Sequence, residues 1–90
     1  MTDLTIRFNF LDRIYSAEVV PSFSEKPFYF FILFNENDMI HEFGEELSIA
    51  TVDGTSIVNS VATNVKVRCL KEVIFQEIKK VPEYSSKLQN

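Results

Sequence analysis

The sequence predicts a small α+β domain: an antiparallel sheet of four to five strands, arranged as two hairpins plus one strand, with one C-terminal helix packed on one face. Three observations carry this expectation. Leu4, Ile6, Phe8 and Phe10 alternate with Thr5, Arg7 and Asn9, the period of a half-buried strand. Residues 28–34 read F-Y-F-F-I-L-F, a β-favouring run without Gly or Pro. Val67, Leu70, Ile74, Ile78 and Val81 recur at helical spacing.

The first hairpin continues through Tyr15, Ala17 and Val19, which alternate with Ser16 and Glu18. A four-residue loop over Leu11 to Ile14 sets Phe10 against Tyr15, Phe8 against Ala17 and Ile6 against Val19, with Arg7 meeting Glu18 on the other face. Pro21 to Pro27, P-S-F-S-E-K-P, reads as a connection because proline cannot donate to a central ladder. The apolar run then opens a second hairpin. Asn35 to Asp38 carries turn-forming side chains, and a loop there pairs Phe34 with Met39, Ile32 with His41 and Phe30 with Phe43. Gly44 leads into a strand over Leu47 to Thr51, with Leu47 and Ile49 inward and Asp53-Gly54 as the next turn.

For the helix, Thr63 or Asn64 supplies the N-cap and Pro82 the stop, and Lys71, Glu72, Glu77, Lys79 and Lys80 suit a solvated face. Residues 1–81 are read as a single globular domain and 82–90 as a polar C-terminal tail.

Composition bounds the function. The chain has 90 residues, 46% hydrophobic, with nine Phe, enough for a core and too aromatic for disorder. Its longest apolar run is far below the roughly 18 to 20 residues that span a bilayer, and Met1 to Arg7 lacks the pattern of a signal peptide. With Cys69 as the lone cysteine, no internal disulfide can form, which fits a reducing compartment. A cytoplasmic protein is expected. The net charge is −4, and residues 28–54 hold six acids and no base, a balance that repels phosphate backbones. Neither nucleic acid nor membrane is expected as a partner.

Catalytic templates find little to fit. Gly44 and Gly54 stand too far apart for a phosphate cradle. His41 is the lone histidine and is read as a strand residue at the core rim, because a zinc helix needs a second histidine. Cys69 is read as a small buried hydrophobe. Asn35-Glu36-Asn37-Asp38 lacks the glycine of a calcium loop, since Ile40 holds that position. Ser86-Lys87-Leu88 resembles a peroxisomal signal but is followed by Gln89 and Asn90. No catalytic, cofactor-binding or metal-binding residue is assigned, and the chain is expected not to be an enzyme.

The apolar run carries the functional expectation. Its alternate residues are large and apolar on both faces, and one helix covers one face. Tyr29, Phe31, Leu33 and Ile40 are the expected interface, an apolar stripe that Val20 and Ile14 extend and that is bordered by Arg7, Ser16, Glu18, Glu42 and Ser48. The expected function is protein-protein interaction, as a homodimer or as a small subunit docking on a protein partner. The competing expectation is that the connection around Phe23 folds over the stripe and completes the core. Glu42, Glu45 and Glu46 form a second expected surface, an acidic one for docking, which would suit a small inhibitor or immunity-type protein. A third reading is a small hydrophobic-ligand binding domain with Tyr15 or His41 as its polar anchor.

Overall fold

Period-two alternation organises the N-terminal half. The computed structural model describes residues 4–52, 54, 56–58 and 64–88. The elements run β1 (Leu4–Phe10), β2 (Arg13–Ser22), β3 (Phe28–Phe34), α1 (Asn37–Phe43), β4 (Glu46–Thr51), α2 (Val65–Lys79) and α3 (Pro82–Leu88). The strands form one four-stranded antiparallel sheet in the order β1-β2-β3-β4, so each strand pairs with its sequence neighbour. The expected α+β class holds, with three helices among the described residues where one was expected.

The first hairpin closes more tightly than expected. Phe10 pairs with Arg13, leaving a two-residue turn of Leu11 and Asp12 in which both φ angles are positive, +52° and +65°. Turns with two positive φ values match the right-handed twist of the flanking strands, and this outweighs about 1 kcal/mol of local cost at a leucine. Ile6 therefore faces Ala17 and Leu4 faces Val19. The register moves by two positions, so every side chain keeps its expected face.

The second hairpin does not form. Asn37–Phe43 is helical, with Glu36 at its N-cap, Asp38 in its first turn and Gly44 ending it at φ +90°. Met39, Ile40 and Phe43 fit one helical face as well as Met39, His41 and Phe43 fit a strand, and the helix brings Ile40 onto the core as well. The Phe34 N–H then donates to the Glu45 carbonyl at 3.0 Å, returning the chain to pair β4 with β3. β2 also runs further than expected, through Pro21 to Ser22. Pro21 is the next-to-last residue of β2, where it pairs with Phe30 of β3, and proline is tolerated near a strand end more readily than in its middle.

α2 begins as expected at Asn64, whose side-chain oxygen accepts from the Val67 N–H at 2.8 Å; Thr63, the other expected cap, lies outside the described residues, as does Asp53 of the expected turn. Pro82 ends one helix and opens another. The Val81 carbonyl accepts from the Tyr84 and Ser85 N–H groups, and α3 follows where a polar tail was expected. Its Tyr84 and Leu88 are buried.

One core joins everything. Inward side chains of the strands, among them Phe8, Val19, Phe30, Ile32 and Ile49, merge with Met39 of α1, Leu70, Ile74, Phe75 and Ile78 of α2, and Tyr84 and Leu88 of α3. Each fully buried Phe contributes roughly 2 to 3 kcal/mol of transfer free energy. All three helices thus lie against the same side of the sheet. The far edge of β4 is partly covered, since the Val58 N–H donates to the Ala50 carbonyl at 2.8 Å and Ile57 is buried.

Candidate functional site

The side of the sheet opposite the helices is built by the alternate residues of the four strands. Register places them in rows. Thr5, Glu18, Leu33 and Glu46 form one row across β1 to β4; Val20, Phe31 and Ser48 form the next; Ser22, Tyr29 and Ala50 the third. In the opposite direction Arg7 sits beside Ser16 and Asn9 beside Ile14. Tyr29 is 41% and Leu33 36% exposed, Ile14 66%, and Phe31 and Val20 are half-buried. The rings of Tyr29 and Phe31 stack at 6.1 Å and 12° from parallel.

Three of the four residues expected on the stripe therefore share this face. Ile40 does not, because α1 turns it toward the core. The Phe23 connection does not fold over the stripe. Phe23 lies on the helical side instead, 5.5 Å from the Phe30 ring and 6.0 Å from Tyr84, centre to centre. Val20, on the face that strand parity gives it, and Ala50, beside Tyr29, extend the apolar area.

The expected acidic surface is split between elements. Glu42, on α1, forms an ion pair with Lys66 at the start of α2. Glu45 is exposed in the connection to β4, and Glu46 opens β4 on the open face, directly beside Leu33.

The remaining candidates are placed apart from that face. Cys69 is exposed on α2 rather than buried, because Leu70 and Ile74 take the inward positions of the helix. His41 is exposed on α1 rather than on a strand. The Tyr15 hydroxyl donates to Asp38 Oδ2 at 3.3 Å, Arg13 Nη1 donates to the same oxygen at 2.8 Å, and the guanidinium lies 5.2 Å above the Tyr15 ring. Burial raises the Tyr15 hydroxyl above its ordinary pKa of 10.0; Asp38 and Glu36 add to the rise and Arg13 opposes it. This cluster ties β2 to the start of α1, and the Glu36 carboxylate accepts from the Ser16 N–H at 3.0 Å beside it.

A cleft of about 280 Å³ opens at the free edge of β1 between Arg7, Phe8, Asn9, Ile14 and Glu77. Another, of about 310 Å³, lies under the β2–β3 connection at Ser22, Lys26, Pro27 and Tyr29. Both are at the rim of the sheet. Among the described residues no three His, Cys, Asp or Glu side chains come together in a metal-binding group, and no helix is long and apolar enough to cross a membrane. Comparisons with protein-family models, with curated proteins and with solved structures return no match.

Proposed function

We propose that this protein is a non-enzymatic protein-protein interaction module of the cytoplasm, which self-associates or docks as a small subunit through the open face of its sheet. The observation that carries the reading is the placement of all three helices on one side of the sheet, which leaves the stacked Tyr29 and Phe31, with Leu33 and Val20, facing away from the core. An amphipathic antiparallel sheet normally presents polar side chains to water. Here Val20, Tyr29, Phe31 and Leu33 make much of the outward face of the two central strands aromatic and aliphatic, with Glu18 among them and Arg7 and Glu46 on the outer strands, which suits a contact surface. The cytoplasmic part of the reading rests on the single, unpaired cysteine.

Hydroxyl-radical footprinting tests the reading whichever protein is the partner. Tyr29 and Phe31 should be labelled strongly in dilute purified protein and several-fold less inside the cells that make it. Equal labelling in both settings would overturn the proposal.

A further inference from the structure

Three charges stand on the open face: Arg7 on β1, Glu18 on β2 and Glu46 on β4. Among the described residues none of them is ion-paired within the chain. The cation and one carboxylate occupy the two outermost strands, and the apolar residues lie between them together with Glu18. Such a surface is complementary to itself.

We propose that the occupant of the open face is a second copy of this chain, related by a two-fold axis parallel to the strands and running between β2 and β3, with Arg7 of each copy paired to Glu46 of the other. This deepens the interaction reading above and rests on it. The operation lays β1 over β4 of the other copy and β2 over β3, and keeps each row on its own row. Val20 then meets Phe31 of the other copy, Ser22 meets Tyr29, and the stem of Glu18 meets Leu33. Thr5 lies over Glu46 of the other copy. Arg7, two residues and about 6.7 Å along the same face of β1, reaches that carboxylate while remaining a diagonal neighbour of its own Glu18. A two-fold axis across the strands would instead stack each strand on its own counterpart. Arg7 and Glu46, which stand on opposite outermost strands, would then never meet.

Size agrees with a modest interface. Four strands about 4.8 Å apart, with seven residues at about 3.4 Å each, present roughly 450 Å² in projection. Two such faces make a contact of roughly 900 Å² in all, at the weak, transient end of specific interfaces. The dimer is expected to dissociate on dilution.

Charge exchange tests the geometry. Because the contact is isologous, Arg7→Glu sets glutamate against Glu46 twice, and Glu46→Arg sets arginine against Arg7 twice. Each variant alone should lose dimer affinity by about tenfold or more. An equimolar mixture of the two recreates two opposite-charge contacts, so native mass spectrometry should show the mixed dimer in excess over either homodimer. If Arg7→Glu does not fold, Arg7→Gln serves in its place, and loss of the salt dependence of dimerisation is the expected reading. A mixture that gives no preferred mixed dimer, while Phe31→Asp still abolishes association, would overturn the two-fold arrangement and leave the interaction reading standing. A wild-type chain that remains monomeric at every concentration would overturn the choice of a second copy, and footprinting would then decide on the open face itself.

Discussion

Tyr29 and Phe31 lie two residues apart on one face of β3 and stack ring on ring at 6.1 Å, while Phe30 between them is fully buried against Phe75 and Tyr84 on the other face. One strand thus divides its aromatics between the core and the open face. Single substitutions separate the two roles.

Phe30→Ala should cost about 3 to 5 kcal/mol, because it leaves a cavity beneath the sheet. Phe31→Ala should cost less than about 1.5 kcal/mol, since its ring is only half-buried. Urea unfolding of both variants checks the contrast. Similar losses at the two positions would place Phe31 in the core.

The last helix is integral to the domain. Gly54 has φ +79°, and a Cβ built there would stand 2.5 Å from the Leu88 carbonyl oxygen and 2.9 Å from Leu88 Cβ. The Gly54 N–H donates to Thr51 Oγ1 at 3.0 Å, and that hydroxyl donates to the Ser56 carbonyl at 2.6 Å, so the turn after β4 is fixed directly against the end of α3. Gly54→Ala is expected to destabilise by about 2 kcal/mol or more, from the left-handed backbone and the collision together. Leu88→Ala should cost about 2 to 4 kcal/mol. Thermal unfolding by circular dichroism reads both, and a variant ending at Val81 should unfold at still lower temperature.

The tyrosine at the β2–α1 junction gives stability an alkaline dependence. Its folded pKa lies above its unfolded value of about 10. The folded state therefore keeps its proton where the unfolded chain has released it, and stability declines as pH rises from about 10 toward the folded value. Tyr15→Phe should remove this part of the decline while leaving the profile below pH 9 parallel to wild type. Chemical denaturation between pH 8 and about 11.5 makes the comparison, and an unchanged alkaline slope would contradict the assignment.

The tight first turn leaves room for improvement. Leu11 is 69% exposed and holds φ +52°, a region that asparagine enters more readily than leucine. Leu11→Asn should stabilise by about 0.5 to 1 kcal/mol, measured by denaturant midpoint at constant slope.

Much of the sheet was legible because alternation over Leu4 to Phe10 and Tyr15 to Val19 fixes faces whatever the loop length. The two-residue turn was not legible, since Leu-Asp lacks the Asn or Gly that usually announces positive φ. The segment after Asn35 is ambiguous in principle. Seven residues with apolar side chains at 39, 40 and 43 satisfy both periods, and tertiary docking of Phe43 against Phe10 and Phe34 accompanies the helical choice. Pro82 to Leu88 reads as a tail because its apolar residues are few, and their burial depends on Gly54 and Phe23, which are distant in sequence. The outward positions of Tyr29, Phe31 and Leu33 follow from strand parity alone. That of Ile40 depended on a hairpin that the chain does not form.

The central claim is that the open face is a contact surface and not part of the core. Light scattering on purified protein over a wide concentration range, with circular dichroism on the same samples, tests it for wild type and Phe31→Asp. Wild type should be a concentration-dependent dimer and Phe31→Asp a folded monomer. A wild type that is monomeric throughout, together with an unfolded Phe31→Asp, would contradict it.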